Sequence, residues 1–305
     1  MKKKPAKEVY TLADLRNWEE IDLPIRLGVL GDPVAHSLSP QMQNAALRSG
    51  KIDMQYARFQ ISPDELQSAL DLISELNFVG VNLTTPHKIV ASKLMEEVDD
   101  NARRIGAVNT IKVDNAKLRG YNTDGKGFAR AIRHEFAVDL RDLRVMILGG
   151  GGAARAIALQ CARENCERLV ITNRNLATAQ KLAEELREYF TGPRVLGPVP
   201  RLQAIPWEEA AIRFQVAHLD LIVNATPLGL NRRDPSPIPA RLLAPHLMIH
   251  DTVYGEGRTP FVSAAIEAGA RAANGFSMLL HQGALAFEIW FEREAPIEAM
   301  RAALM

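Results

Sequence analysis

The sequence predicts an α/β fold built from two domains, and three observations carry that prediction. The chain has 305 residues, more than a single core usually organises. Strand-like apolar runs alternate with amphipathic helical runs along most of its length, the pattern of a largely parallel sheet covered by helices. A second strand–helix series then starts afresh near residue 143, entered through a glycine-rich turn.

Taken in order, "IRLGVLG" (25–31) predicts a first strand and "SPQMQNAALRSG" (39–50) a helix closed by Gly50. "MQYARFQI" (54–61) predicts a second strand, and "SPDELQSALDLISEL" (62–76) a well-capped amphipathic helix. "FVGVNLT" (78–84) reads as a third strand and 86–106 as one helix. Residues 107–124 read as two short strands about a turn at Asp114-Asn115. A helix over 125–140 leads out of this first unit. The second unit runs strand (143–150), helix (152–166), strand (168–175) and helix (176–190). Pro and Gly interrupt 192–206. Strands at 219–226 and 246–255 follow, then a helix at 259–270, a short segment 271–275 and two terminal helices. The boundaries expected are a polar leader at 1–24, a first domain at 25–125 and a second at 126–275. Helices over 276–305 are expected to pack back onto the first.

Composition excludes several classes. Net charge is +1 with acids and bases interspersed, so neither a nucleic-acid nor a membrane surface is indicated. The basic start "MKKKPAKEVY" is followed by no continuous apolar run, and no stretch approaches the roughly 20 apolar residues that span a bilayer. A cytoplasmic protein is expected. The two cysteines, Cys161 and Cys166, lie five apart in a helical stretch and so off one face, which predicts reduced thiols. No His/Cys/Asp/Glu pattern has metal-ligand spacing.

"VMILGGGGAARA" places Gly149, Gly151 and Ala154 in a G-x-G-x-x-A pattern between strand and helix. The first glycine permits the tight turn, the second lets a pyrophosphate approach the backbone, and the small third residue lets helix and strand pack closely. About 20 residues on, NAD enzymes commonly carry an acid for the ribose 2′-hydroxyl. Here stands "TNRN", with Asn173, Arg174 and Asn175 and no carboxylate. An arginine suits a 2′-phosphate that a carboxylate would repel, so NADP is the cofactor predicted.

"NLTTPHK" (82–88) raises a different point. Thr85 reads as an N-cap and Pro86 as the first helical position, which puts Lys88 in a first turn where the helix field disfavours a cation. A lysine there asks for a functional reason. The motifs "HSLSP", "NLTTPHK", "GAVNT", "GYNTDGKG", "GGGGAA", "TNRN", "NATPLG", "DTVY" and "MLLHQGALAF", in this order over about 26–292, resemble those of the shikimate dehydrogenases. That resemblance implies NADPH-dependent reduction of 3-dehydroshikimate to shikimate on the route through chorismate to aromatic amino acids. It also implies an N-terminal substrate domain, a Rossmann-type NADP domain and an active site in the cleft between them. By the resemblance, Lys88 and Asp124 form the catalytic pair. Ser37, Ser39, Asn82, Thr84, Asn109, Tyr254 and Gln282 contact substrate. Gly149, Gly151, Gly152 and Ala153 line the pyrophosphate loop, Asn173 and Arg174 hold the adenosine ribose phosphate, and Thr226 and Gly275 lie near the nicotinamide.

Plainer roles compete at several positions. Capping alone accounts for Ser39 before Pro40 and for Asp124 before "GKGFARAI", whereas nothing local explains Ser37. Gln282 is by default a solvated helical glutamine, and Tyr254 a strand-end aromatic. His36 and His87 lack partners at catalytic spacing and read as bystanders. Three positions depart from the family pattern: no second basic residue stands near Thr178, Pro227 replaces a commoner serine, and the "YGEGRTP" loop differs. Two rivals remain on the sequence. One is an NAD-linked quinate/shikimate dehydrogenase, against which Asn175 and Ser39 speak. The other is a non-catalytic binding module of the same family, against which Lys88, Asp124 and the lack of a DNA-binding segment speak. A monomer or homodimer is expected, and which of Lys88 and Asp124 carries the proton stays open.

Overall fold

A computed structural model describes residues 7–18, 24–95, 97–191, 200–231, 233–255 and 257–305. The chain divides into two compact units, one of Met1–Thr123 with Leu279–Met305, the other of Asp124–Met278.

The first unit carries β1 (Tyr10–Thr11), α1 (Leu12–Arg16), β2 (Ile25–Gly31), α2 (Ser39–Ser49), β3 (Gln55–Gln60), α3 (Leu66–Glu75) and β4 (Gly80–Leu83). It continues with α4 (His87–Leu94), β5 (Glu97–Val98), α5 (Asp100–Ile105), β6 (Thr110–Asp114) and β7 (Lys117–Tyr121). Its seven strands pair in the order β1-β3-β2-β4-β6-β7-β5. The β3-β2-β4 centre is parallel, and the β6–β7 hairpin joins it antiparallel. Strand β4, "GVNL", is buried along its whole length, as the middle of a sheet covered on both faces requires.

The segment set apart as a polar leader does not lie outside this unit. Tyr10, Leu12, Leu15 and Trp18 are buried in the core around Phe59 and Phe78. The Trp18 ring lies 5.7 Å from that of Phe59 and 5.4 Å from that of Phe78. A short strand pairing parallel to β3 ties the segment down. Its apolar residues are too few to form a run, and their burial depends on aromatics supplied far along the chain.

The helix expected over 86–106 is also two helices. α4 ends at Leu94, and β5 pairs with β7 before α5 begins. Asp99 makes that restart, its carboxylate accepting from the N–H groups of Asn101 and Ala102. Gly106, at φ 68°, closes α5 in the left-handed region.

The second unit opens with α6 (Asp124–Phe136) and follows with β8 (Arg144–Leu148), α7 (Gly152–Arg163), β9 (Arg168–Asn173), α8 (Leu176–Glu185) and β10 (Leu202–Pro206). Then come α9 (Glu209–Val216), β11 (Leu221–Asn224), β12 (Met248–Asp251), α10 (Pro260–Glu267) and β13 (Arg271–Ala273). All six strands are parallel, in the order β10-β9-β8-β11-β12-β13. Counted from the first strand this is 3-2-1-4-5-6, the doubly wound dinucleotide-binding order. β10, α9 and β13 were not anticipated from the sequence. The first is short, ends in Pro206 and follows an interrupted stretch of which 192–199 lie outside the described residues. α11 (Phe276–Phe291) begins in this unit and continues into the first, where α12 (Ile297–Ala302) packs on α2.

A buried histidine at the centre of the second sheet has a stability consequence. His250 on β12 is fully buried, its ring edge-on to Phe128 at 5.4 Å. Neither ring nitrogen has a hydrogen-bond partner among the described residues. Burial lowers its pKa from 6.5 to about 4. The neutral ring is therefore the folded form. Above about pH 6.5 both folded and unfolded chains hold it neutral and its contribution is complete. Between 6.5 and about 4 only the unfolded chain takes up the proton, so stability is lost as pH falls through that window. The full loss is roughly 3 kcal/mol by linkage. Urea midpoints measured from pH 7 to 4 should fall, and His250→Leu should flatten that slope. A His250→Leu curve parallel to that of the parent would exclude the assignment.

Candidate active site

The sheet order of the second unit puts a glycine turn after β8. Gly149 has φ 125°, and a Cβ there would stand 2.7 Å from the Ala225 carbonyl, so only glycine fits both the torsion and the space. Gly151 is the N-cap of α7 at φ −80°, ψ −171°, and a Cβ there would meet nothing within 4 Å. The first glycine serves the turn and the second leaves the loop's face open above a helix N-terminus. Gly152 and Ala153 begin α7, and buried Ala154 packs against the sheet. The residues present thus fit a dinucleotide pyrophosphate.

Asn173 ends β9 and donates to the carbonyl of Asn175 (3.1 Å), while Asn175 caps α8 through the Ala177 N–H. Arg174 is exposed between them with no carboxylate partner among the described residues. Thr178, which stands where the family pattern has a second basic residue, turns its methyl toward Gly150. Thr226 follows β11, its hydroxyl donating to Asn224 Oδ1 (2.7 Å). The Gly275 N–H donates to the Val253 carbonyl (3.0 Å). The Thr252 carbonyl occupies the space a side chain at 275 would need, which also accounts for this glycine structurally. Tyr254 is half-buried with its ring 5.8 Å from that of Phe276.

In the first unit three candidate residues share one hydrogen-bond network. Asn82, last but one in β4, accepts from the Tyr56 hydroxyl (2.7 Å) and donates to the Asn109 carbonyl and to Thr110 Oγ1. Asn109 accepts from the Thr123 N–H (2.8 Å), donates to Thr123 Oγ1 (2.9 Å) and reaches Gln282 Oε1 at 3.4 Å. Asn82 and Asn109 are both buried. Such a satisfied network fixes the orientation of its amides. Tyr56, Thr110 and Thr123 are its members that sequence reasoning missed. Tyr56 offered no signal, because it reads as an ordinary strand aromatic.

Several local roles differ from those expected. Pro86, not Thr85, is the N-cap of α4, and the His87 N–H donates to the Thr84 carbonyl. The helix therefore starts one residue later, with Lys88 still in its first turn and no acid there. Ser39 is the first residue of α2, not its cap. The hydroxyl of Ser37 accepts from the Ser39 N–H (3.3 Å), so the serine without a local explanation has one. Both serines are buried. Asp124 likewise is the first residue of α6, and it is buried. Lys88 is half-buried, and its backbone carbonyl accepts from Val108. Thr84 is half-buried. His36 is exposed, whereas His87 is buried with Nε2 2.8 Å from the Ile61 carbonyl, and burial holds its pKa below the usual value.

Cys161 and Cys166 are buried and not joined in a disulfide, and burial pushes the Cys161 thiol up, away from reactivity. Among the described residues no group of three or more His, Cys, Asp or Glu is arranged to hold a metal, and no helix is long and apolar enough to cross a membrane.

A doubly wound parallel sheet with an open glycine turn, joined in one chain to a second α/β unit bearing a buried amide network, defines a two-unit dinucleotide-binding protein. Three family models refine this class. One described as the shikimate dehydrogenase substrate binding domain matches residues 29–111. Another, shikimate / quinate 5-dehydrogenase, matches 130–195. A third, the shikimate 5′-dehydrogenase C-terminal domain, matches 275–305. The chain is 41% identical over 281 residues to a shikimate dehydrogenase (NADP(+)) of Methanopyrus kandleri, covering 92% of this chain and 94% of that one. It is 40% identical to the enzyme of that name from Desulforamulus reducens, over 91% and 93% of the two chains. A shikimate 5-dehydrogenase of Thermus thermophilus, solved with NADP(H) and shikimate, superposes with a TM-score of 0.79 at 34% identity. That superposition covers 92% of this chain and 98% of the other. The chain belongs to the shikimate dehydrogenase family.

Proposed function

We propose that the chain catalyses the reversible NADPH-dependent reduction of 3-dehydroshikimate to shikimate, a step toward chorismate and the aromatic amino acids. The observation that carries this reading is the open Gly149–Ala153 turn followed by Arg174 without an acidic neighbour, in a chain related over nine-tenths of its length to NADP(+) shikimate dehydrogenases.

NADPH, when bound, supplies the hydride that reaches the carbonyl carbon of the substrate. Gly149, Gly151, Gly152 and Ala153 hold its pyrophosphate at the start of α7, Asn173 and Arg174 its ribose phosphate, and Thr226 and Gly275 flank the nicotinamide. Ser37, Ser39 and Tyr254 bind the substrate carboxylate through their hydroxyls, while Thr84, Asn82, Asn109 and Gln282 orient its ring hydroxyls. Lys88 and Asp124 exchange the proton at the reacting oxygen, which general acid–base catalysis requires as the hydride arrives. Half-buried Lys88, in a first turn with no acid, also favours an anionic substrate. The enzyme is inferred to be cytoplasmic and to act as a monomer or homodimer.

Initial rates with shikimate and quinate, each with NADP+ and NAD+, test the reading. Shikimate with NADP+ should give the highest kcat/KM, at least tenfold above quinate with either cofactor. Because Arg174 is the only cation in the 173–178 stretch, the NADP+ preference should shrink as ionic strength rises. Absence of NADP+-linked shikimate oxidation would refute the assignment.

A further inference from the structure

β11 and β12 end in register, Asn224 opposite Asp251, at the carboxyl edge of the parallel sheet, the edge where such sheets receive their ligands. Asp251 is fully buried and has no ion-pair partner among the described residues. An isolated carboxylate in that position is costly unless donors surround it. Three do. Its Oδ1 accepts from Asn224 Nδ2 (2.8 Å) and the Val253 N–H (3.1 Å), and its Oδ2 accepts from the Thr259 hydroxyl (2.6 Å). Burial still outweighs these bonds and holds the carboxyl pKa above its usual value.

Each donor fastens a different piece of chain. Asn224 uses its whole amide: Nδ2 also donates to the Leu228 carbonyl, and Oδ1 accepts from the N–H and the hydroxyl of Thr226. Thr259, besides donating to Asp251, caps α10 by accepting from the Val262 N–H. The Val253 N–H belongs to the segment that leads directly to Tyr254.

We infer that Asp251 is a positioning residue, which through Asn224, Thr259 and the Val253 amide locks the 224–229 turn carrying Thr226 to the 251–254 segment carrying Tyr254. This rests on the proposed function in that Thr226 and Tyr254 are taken as cofactor and substrate contacts. The network's direction explains the residue type, since every group facing Asp251 is a donor. An asparagine there would have to turn its N–H₂ toward Thr259, reversing that bond so that the hydroxyl accepts and its own proton loses this partner.

The test is Thr259→Val, which removes one donor to Asp251 and keeps the shape, against Thr259→Ser, which retains the hydroxyl. Amide hydrogen exchange, followed by mass spectrometry on the ligand-free full-length protein, should accelerate at least tenfold in both 224–229 and 251–255 in the valine variant. Exchange over 149–155 should stay unchanged, and serine should restore the parent pattern. With shikimate and NADP+, kcat should fall about tenfold while the Kd for NADPH moves less than threefold. Acceleration confined to 259–263, the α10 cap alone, would overturn the inference, as would an unchanged kcat in a protein that oxidises shikimate. If the parent does not oxidise shikimate, the proposed function fails, and the exchange pattern alone decides this inference. If Thr259→Val does not fold, Thr259→Ala carries the same readouts.

Discussion

Lys88→Ala should lower kcat for shikimate oxidation by two to four orders of magnitude, the range for losing a positioned proton-transfer group. NADPH affinity should stay within threefold, because the glycine turn and Arg174 belong to the other unit. Stability gives an independent check. Lys88 is the second residue of α4, with no acid in that turn. Removing a cation from a helix N-terminus relieves an unfavourable term of about 0.3–1 kcal/mol, and alanine is the best helix former. The backbone bond from Val108 to the Lys88 carbonyl does not involve the side chain. The inactive variant should still fold and melt in one cooperative transition. Lys88→Arg, which keeps the charge but not a group of suitable size and acidity, should recover little activity. Near-normal turnover in Lys88→Ala would remove Lys88 from the chemistry. A drop in Tm matching the drop in activity would make it structural.

What the sequence disclosed, and what it hid, follows the range over which each signal acts. The strand–turn–helix at Gly149 was legible because its constraints are local: one glycine for a torsion, another for access, a small residue for packing. Lys88 was legible as an anomaly because helix electrostatics act within one turn. The break between α4 and α5 was hidden, since "MEEVDD" is made largely of residues that tolerate a helix. It is settled by β5 pairing with β7 some twenty residues on, together with the Asp99 cap. Trp18 and Leu15 carried no periodic signal of their own, for their burial needs Phe59 and Phe78. The two serines show the same limit at short range. Helix start signals around "HSLSP" pointed to Ser39 as the cap, whereas the observed start makes Ser37 the acceptor. The Asn224–Asp251–Thr259 cluster was beyond reach altogether, because only sheet register brings residues 224 and 251 side by side.

Gly151→Val separates the binding role of the glycine turn from its folding role. At Gly149 the two cannot be separated: φ is 125° and the Ala225 carbonyl lies where a side chain would go, so any substitution strains the turn itself. Gly151 has an extended backbone, φ −80° and ψ −171°, which valine adopts readily. A Cβ at this position meets no heavy atom within 4 Å beyond its chain neighbours, so the branch point of a valine fits without displacement. Valine should therefore leave Tm within about 2 °C of the parent, as a surface change away from packed or strained positions does. Its isopropyl group nevertheless fills the space a pyrophosphate needs to reach the α7 N-terminus, whose free N–H groups are the anion site. The Kd for NADPH, measured by fluorescence titration, should rise at least 100-fold, equivalent to about 2.7 kcal/mol. NADP+ and NAD+ should suffer alike, since they share the pyrophosphate. A weaker effect on NAD+ would instead place the lost contact at the ribose phosphate. Unimpaired NADPH binding in a stably folded Gly151→Val protein would mean that the open face of this turn is not where the dinucleotide lies.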